Sequence, residues 1–319
     1  MQQANTLQQA YLRIVKIIYL VSCLIIHPIA NAQFSGFNST WLNQAYYGSK
    51  GTYFADVNGD KKADAIVVNN DKITVRTATG FNFSSAQSWT NNAYFGSRAT
   101  YFADVNGDKK ADAIVVNEDK ITVRLSNGMG FDLGSDWTEG AYYGNLGTYF
   151  VDVTGDGKAD AVVVNRTNIV VRRSNGNSFG NNQNFTIGGF SGTRGTFFAD
   201  VTGDGKADAI VVNDDKIVVR RSNGFMFSGN EDWTNNAFYG SRGTFFADVT
   251  GDGKADAIVV NDDGITVRRS NGSSFGPNES FTSNAFYGSK GSFFVDVNGD
   301  GKADAVVVND GQVVVRLAR

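Results

Sequence analysis

Asp248-Val-Thr-Gly-Asp-Gly-Lys-Ala-Asp256 places carboxylates at its first, fifth and ninth positions, a hydroxyl at the third, and glycines at 251 and 253. Oxygen donors at alternate positions of a turn tight enough to need glycine suit a hard cation that takes six to eight oxygens, so the loop is expected to hold calcium rather than zinc or magnesium. Asp248, Asp252 and Asp256 would bind through their carboxylates, Thr250 directly or through water, and Lys254 through its backbone carbonyl. An EF-hand shares the first half of this spacing, but its loop needs a bidentate Glu at position 12 and flanking helices. Here position 12 is Val259 and the flanks read as strands. For any single copy the alternative is a plain Asp/Gly/Asn turn without metal.

The loop recurs with first aspartates at 56, 104, 152, 200, 248 and 296, an interval of 48 residues each time. A fixed period of that size means a repeat architecture. The expected ligand sets are Asp56, Asn58, Asp60, Lys62 and Asp64; Asp104, Asn106, Asp108, Lys110 and Asp112; Asp152, Thr154, Asp156, Lys158 and Asp160; Asp200, Thr202, Asp204, Lys206 and Asp208; Asp248, Thr250, Asp252, Lys254 and Asp256; and Asp296, Asn298, Asp300, Lys302 and Asp304. Position 6 calls for a positive φ and is glycine in four copies but Lys61 and Lys109 in the first two, which are expected to be the weaker sites.

Each repeat carries the same succession. In the fifth, Thr244-Phe-Phe-Ala-Asp-Val249 leads into the loop, Ala257-Ile-Val-Val-Asn261 is an apolar run of strand length, Asp262-Asp-Gly264 turns the chain, and Ile265-Thr-Val-Arg268 alternates as a half-buried strand should. Asn271-Gly272 signals a hairpin, with a weaker outer strand expected around Phe275. Four strands per repeat and no helical periodicity predict an all-β chain forming a single β-propeller of six four-stranded blades. The last copy ends after its third strand, and Phe34-Ser-Gly36 matches Phe227-Ser-Gly229 of an outer strand. The N-terminal strand is therefore expected to complete the last blade and remove an open edge.

Residues 1–32 stand apart. Arg13 and Lys16 precede the apolar run Ile17–Ile26, and Ala30-Asn-Ala32 closes it, which is the pattern of a secretory signal peptide, with residues 33–319 as the propeller. Leu20-Val-Ser-Cys23 also resembles a bacterial lipobox, the alternative being a chain lipid-anchored through Cys23. Cleavage would remove the one cysteine, Cys23, and the one histidine, His27, and with them the common hydrolase triads, zinc and haem ligation and any disulfide. It would also move the formal charge from −3 to −5 by removing Arg13 and Lys16. Six calcium ions would reverse that sign, so the acidic balance reads as ligand content and no nucleic-acid partner is expected. The Arg pairs at 172/173, 220/221 and 268/269 read as solvated strand ends. No transmembrane segment is expected, because the apolar run is too short to span a bilayer.

The run Phe238-Tyr-Gly-Ser-Arg-Gly-Thr-Phe-Phe-Ala-Asp-Val-Thr-Gly-Asp-Gly-Lys-Ala-Asp256 resembles the FG-GAP/VCBS repeat of integrin α-subunit propellers and of propeller lectins of the Psathyrella velutina type. The resemblance covers essentially all of residues 33–319. It implies a β-propeller with calcium in the loop between the first two strands of each blade. The chain departs from it in having room for six blades where those relatives usually have seven, and in carrying Ser-Arg-Gly in place of Gly-Ala-Pro. A binding module is expected, with glycans or extracellular glycoproteins as partners; an integrin-like adhesion propeller is the alternative, and a carboxylate-only hydrolase or lyase a lesser one. The candidate ligand residues lie in the loops between blades: Trp41, Trp89, Trp137 and Trp233, Tyr239, and Lys50, Arg98, Arg194, Arg242 and Lys290. Aromatics beside cations can stack on a sugar ring and bond its hydroxyls. Aromatics at fixed repeat positions can equally fill the wedge between blades.

Overall fold

A computed structural model describes residues 33–319. The expected signal peptide, with Cys23 and His27, lies outside the described residues. The rest forms six antiparallel four-stranded sheets. Blade 5 shows the pattern: strands Gly243–Ala247, Asp256–Val260, Ile265–Arg268 and Glu279–Thr282 pair in sequence order from the ring's inside outward. The second strand is buried along its whole length, because it is paired on both edges and covered on both faces by neighbouring blades. That explains its unbroken β-branched run, where a strand with one wet face would alternate.

Blade 6 takes Gly291–Val295, Asp304–Val308 and Val313–Arg316 from the C-terminal end and Ser39–Leu42 from the N-terminal end. Ser39 pairs with Val315 and Thr40 with Val314, so the N-terminal strand does complete the last blade. Phe34 bridges to Ala318 and packs edge-on against Phe281 at 5.4 Å. The innermost strands touch in order around the ring, and the last touches the first. The outer strands are shorter and sit later than expected: Phe275 makes only an isolated bridge to Ser270, and pairing resumes at Glu279.

Three tiers of contact join the blades. In the inner tier, Phe245 meets Phe294 at 5.0 Å, and equivalent pairs recur around the channel. In the outer tier, Trp41, Trp89, Trp137 and Trp233 each meet a phenylalanine of the next blade edge-on at 5.0–5.1 Å, with Phe185 and Phe281 in the same role at the other two junctions. The third tier is the ring of aspartate loops.

Candidate functional site

In the fifth loop, Asp248 folds the turn around itself. Its carboxylate accepts the N–H groups of Thr250, Gly251, Asp252 and Gly253 at 2.6–3.3 Å. Position 6 has φ near 80° where it is glycine, and Lys61 and Lys109 are held at φ 68°, in the left-handed region anticipated for them. Asp252 accepts the amide of Lys254 at 3.0 Å and pairs with its ammonium at 2.8 Å. The same lysine pairing occurs in the first four loops. Asp256 is fully buried and accepts the amides of Val249 at 3.2 Å and Ser270 at 2.9 Å. Burial pushes the Asp256 carboxyl up to about 7 against the pull of those two bonds, with Asp248 and Asp252 adding repulsion.

The loops also latch the blades together. The amide of Ala303 donates to the carbonyl of Asp248 at 2.7 Å, and the corresponding bond closes all six junctions. A Cβ on Gly251 would lie 3.0 Å from Cγ of Lys302 in the next loop, so glycine at position 4 makes room for the neighbouring lysine stem. Ser270 Oγ reaches across to the carbonyl of Val201. The donor chemistry fits calcium, being all oxygen on a backbone fixed by the first aspartate. Among the described residues, however, no three acidic side chains gather closely enough to hold an ion by themselves. Closing a cage on position 5 would require Asp252 to leave Lys254.

The expected ligand residues divide between the interblade wedge and the exposed loops. Trp41, Trp89, Trp137 and Trp233 are 2–5% exposed, so their ring faces are spent between blades and are not available for stacking. The cations sit on the face away from the aspartate loops and lock blade to blade. Arg98 pairs with Glu118 at 2.8 Å and lies 3.7 Å over Tyr143. Arg194 takes Asp214 and Tyr239, Arg242 takes Asp262 and Tyr287, Lys290 takes Asp310 and Tyr47, and Lys50 lies over Phe95. Gly240, beside Tyr239, serves the backbone: a Cβ there would fall 2.2 Å from the carbonyl oxygen of Gly243. At the junction of blades 3 and 4 the lock is replaced throughout, with Leu146, Arg166 and Ser191 at the positions of cation, acid and aromatic.

Beside Tyr239 and beside Tyr287 lie small hollows of about 210 and 170 Å³, and two larger clefts lie on the outer wall, where one blade's outer strand meets the next blade. Between blades 2 and 3 (Ser135–Asp136 and Ile169–Arg172) a cleft of about 710 Å³ is lined by Asp136–Gly140, Arg172 and Ser178–Asn181. Its counterpart between blades 4 and 5, about 420 Å³, is lined by Asp232–Asn236, Arg268 and Phe275–Pro277. Tryptophan contributes only an edge. Arg172 and Arg268, expected to be solvated, are drawn into the junction, with Arg268 only 8% exposed. They stack over Tyr142 and Phe238 at 4.4 and 4.5 Å. Sequence reasoning missed this second cationic ring, although its signal is there: Arg76, Arg124, Arg172, Arg220, Arg268 and Arg316 keep the 48-residue period.

Comparison with known proteins agrees with this architecture. The FG-GAP-like repeat profile matches residues 56–115, 104–163, 152–211, 200–259 and 248–307. No curated protein matches the chain in a sequence search. Among solved structures, a lectin from Agrocybe aegerita, described as recognising non-reducing terminal N-acetylglucosamine, aligns with TM-score 0.58 and 23% identity over 83% of this chain and 75% of its own. A component of the Photorhabdus luminescens Tc holotoxin aligns with TM-score 0.67 and 14% identity over 90% of this chain but only 14% of that one. A gluconolactonase from Xanthomonas campestris aligns with TM-score 0.52 and 8% identity over 90% of this chain and 95% of its own. At these identities the likeness is one of fold.

Proposed function

The chain belongs to the FG-GAP-like repeat family of β-propellers, and from that premise we propose that it is a secreted, multivalent binding module for glycans rather than an enzyme. The observation that carries the reading is the wall cavity, which recurs at equivalent positions of two blade junctions with Asp, Asn and Arg groups around an aromatic edge. Such clefts offer hydroxyl-bonding groups on a rigid frame, and the Agrocybe aegerita lectin uses a similar fold for an amino sugar. Several shallow sites on one ring raise avidity by roughly 10² or more towards a surface that presents many copies. Against an enzyme stands the loss of Cys23 and His27 with the leader, together with carboxylates that are mostly tied into the loops.

The aspartate loops are assigned up to six calcium ions, each held by the position 1, 5 and 9 aspartates, the position 3 side chain and the position 7 carbonyl. A bound ion would supply neutralisation of three carboxylates drawn into one loop. The chain itself supplies the turn, through the amides on Asp248, and the latch to the next blade. The loops with Lys61 and Lys109 would bind least tightly, since each adds a cation and a strained φ.

A second reading, protein adhesion, is favoured by one feature. The junction of blades 3 and 4 exposes Leu146 and Ile187, at 45% and 97%, beside Arg166. The experiment that separates the readings is a glycan-array screen of the purified protein with and without EDTA. Retention of a defined sugar supports the lectin; retention of none refutes it and leaves adhesion.

A further inference from the structure

The two wall cavities differ at one position with a chemical consequence. Between blades 4 and 5, Arg268 is held at three places: its face lies over Phe238, its Nε donates to Asn278 at 2.6 Å, and its Nη1 donates to Asn236 at 2.9 Å. Arg124 and Arg316 likewise donate an Nη to Asn92 at 3.2 Å and to Asn284 at 3.0 Å. At the position of Asn236, the junction of blades 2 and 3 carries Gly140. Arg172 keeps its stack over Tyr142 and its Nε bond to Asn182 at 2.6 Å. Among the described residues neither of its Nη atoms has a hydrogen-bond acceptor, and no carboxylate lies within ion-pair distance. The cleft that lacks this amide is also the larger, about 710 against 420 Å³.

A half-buried guanidinium clamped on its face and at Nε, with its fork open to a cavity, is organised to take a planar carboxylate by two parallel hydrogen bonds. Its position costs a ligand little, because stacking and the Asn182 bond already hold the group in place. The acids at the rim do not occupy it: Asp136 is paired with Lys120 at 2.9 Å, and Glu139 is exposed at the mouth. Thr138 is turned inward, accepting from the Ile121 amide and donating to the Gly140 carbonyl at 2.8 Å each, so the fork is the strongest free donor in the cleft.

Resting on the glycan reading, we infer that the cavity between blades 2 and 3 is selective for an acidic sugar, a uronic acid residue whose carboxylate sits on the Nη fork of Arg172. The equivalent cleft at Arg268, where Asn236 takes Nη1 and so removes one of the two parallel donors, takes neutral sugar only.

The test is titration calorimetry of the intact protein with D-glucuronate, D-glucose and acetate, in the parent and in three variants. Glucuronate is expected to bind at least about tenfold more tightly than glucose, the worth of a hydrogen bond to a charged group. Gly140→Asn should abolish that preference without unfolding the chain, because nothing lies within 4 Å of a Cβ built there and Asn stands at this place in other blades. Arg172→Gln should bring glucuronate down to glucose, and Glu139→Gln should strengthen glucuronate severalfold. Equal binding of the two sugars by the parent, or a preference that survives Gly140→Asn, overturns the acidic-sugar inference and leaves the glycan reading standing. Acetate binding without any sugar overturns both and identifies a bare carboxylate site, and binding of none of the three also overturns both.

Discussion

Replacing Trp233 by alanine separates packing from ligand contact at the residue type for which the sequence offered both roles. The indole is 2% exposed, lies edge-on to Phe275 at 5.1 Å, and directs Nε1 at Glu231, 3.3 Å away. Truncating a buried aromatic to alanine costs about 3–5 kcal/mol once the cavity is included. For a chain of this length that lowers the melting temperature by on the order of 10 °C. Trp233→Phe should cost well under half as much, because Phe185 and Phe281 fill the same wedge at other junctions. Differential scanning calorimetry of the three proteins reads the effect directly, and a cycle with Phe275→Ala should show coupling between the two rings of about 0.5–1.5 kcal/mol. If Trp233→Ala melts with the parent but loses ligand, the indole is a binding surface and the wedge assignment is wrong.

Three further outcomes follow from the same contacts. Deleting Phe34–Leu42 removes the Phe34 contact with Phe281, the Asn38 bond to Arg316 at 2.8 Å and the outer strand Ser39–Leu42, and so frees the outer edge of blade 6; the shortened chain should melt lower and associate on size-exclusion chromatography, and a stable monomer would contradict closure by the N-terminus. Ser222→Ala strips the Val153 carbonyl of a 2.6 Å bond and the Gly224 amide of its acceptor, and should cost about 1–2 kcal/mol by chemical denaturation, with Ala78 showing that the ring tolerates the change. In EDTA, stability should fall as pH rises. Burial raises Asp64, Asp112, Asp256 and Asp304 to about 7 and Asp160 and Asp208 to about 6, above the 3.8 of a free side chain, so the folded state holds protons that the unfolded state releases. That contribution is full below pH 3.8 and is lost as pH passes through 6 to 7. Added calcium should restore the melt at the alkaline end, and a melting temperature indifferent to both pH and calcium would remove the metal from the loops.

Much of the fold was legible because it rests on local chemistry repeated at a fixed interval. Six aspartate loops 48 residues apart, the buried run of Ala257–Val260, and the likeness of Phe34-Ser-Gly36 to Phe227-Ser-Gly229 give blades, ring and closure from residues close together in sequence. The left-handed turns at Lys61 and Lys109 were legible for the same reason, since a glycine elsewhere in the period names the φ required. The site was less legible because its determinants are relations between blades. Arg194 finds Tyr239 across 45 residues, and nothing in either side chain distinguishes an interblade lock from a sugar clamp. A tryptophan at a fixed repeat position has the same sequence signature whether its face is buried or free. The open fork of Arg172 depends on an amide that is missing, Gly140 where Asn236 stands two blades on, and its meaning appears only when the two are seen together.

The central claim, that glycans bind in the wall cavities of the ring, is tested most directly by a crystal structure of the protein with the sugar it retains best. The account predicts sugar density against Thr138–Gly140 and Ser178–Asn181, beside the Arg172 guanidinium. Density seated instead on the opposite tier, against Arg98 and Tyr143 or Arg242 and Tyr287, would contradict it.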